Sequence, residues 1–169
     1  DGYTPKKFHN LCDHIHNTIT FIKVEEKEEI LGGYNPIIWL TPPSGWFWAK
    51  TKDSFIFSFK NKNNFKDAIL SRVECADYAV NCAINYGPCF GGGYSDLRLF
   101  GSDFKENREC KCVKTSYEHK IRDTEGEFSI DEYEVFQIVP VTTNQKRTKW
   151  SILSSSISSA FAASSFFES

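Results

Sequence analysis

Cys89-Phe90-Gly91-Gly92-Gly93-Tyr94 sets a glycine triplet between two strand-like runs, and the chain later closes on Glu127-Phe128-Ser129-Ile130-Asp131-Glu132-Tyr133-Glu134-Val135-Phe136. Residues without a Cβ let the backbone take positive φ or lie close against a neighbouring strand, so the triplet reads as a tight strand crossing. The acidic and aromatic segment reads as the strand that closes a sheet. Neither stretch carries a nucleophile, a metal cage or a phosphate cradle. The triplet lacks the Gly-Lys-Ser/Thr ending of a phosphate loop, and no strong helix start follows it. The chain reads first as a folded recognition or regulatory module.

Composition agrees with that frame. A chain of 169 residues is enough for one domain with a real core. Fifteen Phe, seven Tyr and four Trp favour a half-buried pleated surface over helix. A formal charge of -2 supplies no field to gather nucleic acid or an anionic membrane, so both are disfavoured as partners. No apolar run is long enough to span a bilayer, and there is no Asn-x-Ser/Thr acceptor. Six cysteines in a chain with this much core are expected as reduced thiols, in keeping with an intracellular, cytoplasmic protein. The chain contains no Met and opens at Asp1-Gly2, directly before a helix start, which reads as a piece of a longer protein.

Along the chain, Thr4-Pro5 has an N-cap threonine followed by proline at the first helical position, and Phe8, Leu11 and Cys12 recur at helical spacing. Thr18 to Val24 and Ile30 to Tyr34 flank a charged turn and read as a hairpin, with Gly32-Gly33 marking a bulge or a close backbone approach. Pro36, Pro42, Pro43 and Gly45 suggest a loop whose Trp39, Trp46 and Trp48 cover one side of the core. Ser54 to Lys60 alternates, with Phe55, Phe57 and Phe59 on one face. Asn61 to Asn64 reads as a turn, and Phe65 to Ala76 fits either a helix or, over Ala68 to Val73, a strand. Tyr78 to Tyr86, Leu97 to Phe100 and Tyr133 to Ile138 read as strands. After Val139 the composition turns polar, basic and then serine-rich, so residues 140–169 read as a disordered tail.

Candidate chemistry is thin. His9, Cys12, His14 and His16 gather borderline ligands within eight positions, the sharpest metal hypothesis, but their spacing matches no strong zinc pattern. A helix burying Cys12, followed by an exposed polar turn, is the plainer expectation. Cys110-x-Cys112 lies among Arg108, Glu109 and Lys111, its alternation putting both thiols on one face of an extended segment; a cation there can lower a thiol pKa, but core packing is the plainer expectation. Asp131, Glu132 and Glu134 read as a solvated edge rather than an acid-base set. No cofactor is implied.

Five segments taken in order, Asp1 to His9, Ile30 to Tyr34, Ser54 to Phe57, Phe90 to Gly93 and Phe128 to Phe136, resemble a TLDc domain, over roughly Asp1 to Ile138, which sets a domain of residues 1–139. The chain is most similar to fungal proteins in which TLDc follows a BTB domain. The resemblance implies an antiparallel β-sandwich with a few short peripheral helices, and it favours the strand over the helix at Ala68 to Val73. It implies protection against oxidative damage and binding to V-ATPase subunits to regulate assembly of that pump. An adaptor for ubiquitin-ligase components, through a linked BTB domain, is the alternative, and a peroxide-reducing enzyme built on Cys110 or Cys112 is a third. Gly2, Gly32, Gly33, Gly91, Gly92, Gly93 and Glu134 match as fold-determining positions, and the family supplies no catalytic set. Helical sequence and a strand that precede the Asp-Gly pair in the family are absent here, so the domain reads as incomplete at its N-terminus, with an open sheet edge.

Overall fold

The computed structural model describes residues 2–61, 65–141 and 149–155. Thr4 caps α1 (Pro5–Cys12): its hydroxyl accepts the Lys7 amide at 3.2 Å, and Pro5 takes the first helical position, where its missing N–H costs nothing. Phe8, His9 and Cys12 form the buried stripe of the helix.

Among the described residues ten strands follow and build two antiparallel sheets. β1 (Thr18–Val24), β2 (Ile30–Asn35), β4 (Phe55–Phe59), β5 (Ile69–Arg72), β9 (Ile130–Val141) and β10 (Lys149–Ser155) form the larger, in the order β10-β9-β1-β2-β4-β5. β3 (Trp46–Ala49), β6 (Val80–Ala83), β7 (Tyr86–Phe90) and β8 (Leu97–Phe100) form the smaller, in the order β3-β6-β7-β8. The expected β-sandwich with peripheral helix is thus the observed architecture.

The main core lies between the sheets. Ile22, Leu31, Ile56, Tyr133 and Val135 face it from the larger sheet, and Val80, Cys82, Phe90, Leu97 and Leu99 from the smaller. Phe8 and Trp39 lock edge-to-face at 5.3 Å, and Trp39 meets Phe90 at 5.8 Å. Burial of a ring such as Phe8 or Phe90 contributes about 1.5–3 kcal/mol each. The outer face of the larger sheet carries a second apolar cluster of Ile19, Phe21, Ile30, Phe57 and Phe136, with Phe55 and Phe59 against it. The alternating phenylalanines of β4 therefore belong to this outer cluster, while Ile56 faces the main core.

Gly32 and Gly33 pair without interruption to both β1 and β4, so no bulge is present. A Cβ on Gly32 would strike the Phe57 ring and one on Gly33 the Phe90 ring, which is the close approach expected of them. Ala68 to Val73 contains β5, and Phe65–Asp67 is a single 3-10 turn.

Three expectations are corrected. Trp46 and Trp48 stand on strand β3 rather than in a covering loop and point outward, exposed; Trp39 alone of the three is buried. Tyr78 to Tyr86 is not one strand: a 3-10 turn (Ala76–Tyr78) precedes β6, and Ile84-Asn85 turns it into β7. The chain beyond Val139 is not all tail, because β9 runs to Val141 and Lys149–Ser155 pairs with it antiparallel. Residues 62–64 of the expected turn, and 142–148 and 156–169 of the expected tail, lie outside the described residues.

Candidate functional site

The glycine triplet sits in the β7–β8 connection, where Gly91 has φ +94° and Gly93 φ +55°. A Cβ on Gly91 would collide with the carboxyl group of Asp96. That carboxyl, 2% exposed, gathers a distant segment onto the loop. Its Oδ1 accepts the amides of Thr115 at 2.9 Å and Tyr117 at 3.1 Å, and its Oδ2 accepts the Ser116 amide at 2.8 Å and the Thr115 hydroxyl. Gly92 N–H donates to Ser116 Oγ at 3.1 Å, and the Tyr117 hydroxyl donates to the Ala79 carbonyl at 2.9 Å. The triplet is the turn joining the paired strands β7 and β8 rather than a crossing of strands, and the chain's own buried acid holds it. Sequence reasoning missed Asp96, because its partners lie 19–21 residues away and are largely backbone donors.

Glu134 is no solvated edge residue. It lies on β9, between β1 and β10, directly opposite Phe21, with only 4% of its surface exposed and Oε2 without a hydrogen-bond partner among the described residues. Burial pushes its carboxyl up to about 7, and Glu132 adds to the shift. The nearby Lys23 is committed to Asp131 at 2.8 Å. Gly2, at the other end of the family pattern, gives its carbonyl to the Tyr133 hydroxyl at 3.2 Å, tying the start of the chain to β9.

The candidate metal ligands are not brought together. His9 Nδ1 meets Asp13 Oδ1 at 2.7 Å at the end of α1, and Nε2 meets the Ala83 carbonyl at 3.0 Å and joins the helix to β6, so both ring nitrogens are engaged. Cys12 is buried in the core, whereas His14 and His16 are exposed. Among the described residues no group of three or more His, Cys, Asp or Glu is placed to hold a metal ion.

All six cysteines are free thiols. Cys110 and Cys112 both lie in the core, where Cys112 Sγ donates to the Asp96 carbonyl at 2.8 Å. Burial pushes both thiols up to about 12; Arg98 beside Cys110 and Arg122 beside Cys112 offset this only in part. The nearby cations do not activate them, and core packing is the reading that fits.

What the surface offers instead is aromatic. Phe47 and Ala49 of β3 pack against the core, and the alternation turns Trp46 and Trp48 outward, 60% and 38% exposed. Trp46 meets Trp48 at 6.1 Å and Trp48 meets Tyr78 at 5.1 Å, both edge-to-face. β3 is an edge strand, so this cluster flanks a row of backbone groups that the sheet does not pair. Clustered exposed aromatics of this kind mark contact surfaces, since Trp and Tyr supply large contact area at small entropic cost. Among the described residues no helix is long and apolar enough to cross a membrane.

No curated protein matches the chain. The family model described as TLDc domain matches residues 1–139, which covers the glycine turn, both sheets as far as β9, and Glu134. With that match over most of its length, the chain belongs to the TLDc domain family, one linked to oxidative stress and protein binding.

Proposed function

We propose that this domain is a non-catalytic protein-binding module that regulates V-ATPase assembly, the oxidative stress response or both, in the cytoplasm. The observation that carries the proposal is family membership over residues 1–139. The exposed Trp46, Trp48 and Tyr78 support it by giving a partner an aromatic surface to dock on. The thiol-enzyme alternative needs a reachable, ionised sulfur, and the burial of Cys110 and Cys112 weighs against them in that role.

The test is capture from cell lysate under reducing conditions with the tagged chain, followed by identification of bound proteins by mass spectrometry. Enrichment of V-ATPase subunits that is lost with Trp46→Ala and Trp48→Ala is the expected result. Enrichment of cullin-type ligase components without pump subunits replaces this function with the adaptor role.

A further inference from the structure

Of the lysines and arginines among the described residues, four are buried or half-buried: Lys23, Arg98, Lys111 and Arg122. Three of them hold a carboxylate. Lys23 meets Asp131 at 2.8 Å, Lys111 meets Glu127 at 3.0 Å, and Arg122 Nε meets Glu29 Oε2 at 3.0 Å. Arg98 holds none. Among the described residues its Nε is buried without a hydrogen-bond partner, and the one polar side-chain contact it makes is a 3.5 Å approach to the Tyr86 hydroxyl.

The guanidinium is nevertheless held in place. Leu97 and Leu99 face the core, so Arg98 and Phe100 project to the outer face of the smaller sheet. There the guanidinium carbon lies 5.0 Å from the Phe100 ring centre and 5.4 Å from that of Tyr86, and the two rings meet edge-to-face at 5.3 Å. Backbone bonds in both directions between Arg98 and Lys111 fix the strand beneath. Stacking against rings stabilises a cation but leaves its N–H donors unmet, and a guanidinium fork is shaped for a carboxylate.

We infer that Arg98, with Tyr86 and Phe100, forms a receptor for an acidic side chain of a protein partner; this rests on the protein-binding function proposed above. The charge is complementary: one unmatched cation suits one carboxylate. Lys111, the neighbouring cation, already carries Glu127, so no second free charge is at hand for a phosphate dianion. The flanking rings suit the methylene stem of an entering glutamate.

The test uses the full chain and an acetylated, amidated oligoglutamate peptide, with an oligolysine peptide and inorganic phosphate as controls at equal ionic strength. The readout is the Nε–Hε resonance of Arg98 and the backbone amides of Tyr86, Phe100 and Lys111 by NMR. Oligoglutamate is expected to move these signals while the controls do not, and Arg98→Gln is expected to weaken binding about tenfold, with Arg98→Lys in between. An unmoved Arg98 resonance, an equal response to phosphate, or undiminished binding by Arg98→Gln overturns the inference. If Arg98→Gln does not fold, the wild-type side-chain resonance decides alone. A lysate capture without pump subunits defeats the regulatory function yet leaves this result standing, because the peptide experiment needs no cellular partner.

Discussion

Gly33 of β2 and Phe90 of β7 meet across the sandwich so closely that a Cβ on Gly33 would lie 2.6 Å from two carbons of the Phe90 ring. The glycine is therefore a shape requirement of the inter-sheet core, since its φ is not in the left-handed region. Gly33→Ala is expected to destabilise the domain by about 1–3 kcal/mol through overpacking. Pairing it with Phe90→Leu should recover part of that loss. Urea unfolding of the two single variants and the double variant measures the coupling, and strict additivity would refute direct contact as the cause.

The Asp96 knot gives the second expectation. Its carboxyl receives four donors from Thr115, Ser116 and Tyr117, so Asp96→Ala strands the two buried amides of Ser116 and Tyr117 and removes both bonds of the exposed Thr115. A loss of at least about 3 kcal/mol is expected. Hydrogen exchange should show amides 115–117 losing protection first, ahead of β1 and β9. Uniform loss across both sheets would mean that Asp96 matters only to global packing.

Elements whose cause is local were legible in the sequence. The β1–β2 hairpin follows from two apolar runs around a charged turn, and β4 from strict alternation of phenylalanines. β3 was obscured because it is four residues long and follows Pro42, Pro43 and Gly45, which read as loop. The break at Ile84-Asn85 lacks the glycine that announces a two-residue hairpin. The Asp96 knot, the burial of Glu134 and the unmatched charge of Arg98 depend on what lies across space from them, and no spacing encodes that. In the two-thiol segment alternation gave the extended backbone and the core packing expected of it, and burial outweighs the nearby charges.

Glu134 makes stability depend on pH in a defined direction. Its folded-state pKa, about 7, lies above the value near 4.3 that a carboxyl has in an unfolded chain. The unfolded state thus releases the proton first, so the contribution is fully present below about pH 4 and is lost as pH rises through 7. The slope is bounded by one proton, about 1.4 kcal/mol per pH unit. Glu134→Gln should remove this slope and be the more stable protein above pH 7. Denaturation midpoints at pH 5, 6, 7 and 8 decide the matter, and parallel profiles for the two proteins would exclude Glu134 as the group.

The buried thiols predict slow chemistry. With Cys12, Cys89, Cys110 and Cys112 all pushed up to about 12 by burial, native protein at pH 8 should expose almost no thiolate from them. Cys75, the one thiol that is not buried, should react with iodoacetamide first. Mass-spectrometric rates for the remaining five should lie at least about a hundredfold below that of a free thiol and rise together on denaturation. Fast native alkylation at Cys110 or Cys112 would reopen the peroxide-reducing alternative.

Trp46 and Trp48 separate binding from folding. Both side chains are exposed on an edge strand whose inward-facing Phe47 and Ala49 carry the packing, so truncating them removes surface and leaves the core intact. Trp46→Ala and Trp48→Ala should each change stability by no more than about 0.5 kcal/mol. If the aromatic cluster is where a partner docks, the same variants should weaken capture of that partner at least about tenfold, the scale of an aromatic hot spot. Melting curves and capture yields from the same preparations distinguish the two effects. Equal loss of both would place the tryptophans in the fold, and unchanged capture would move the docking surface away from β3.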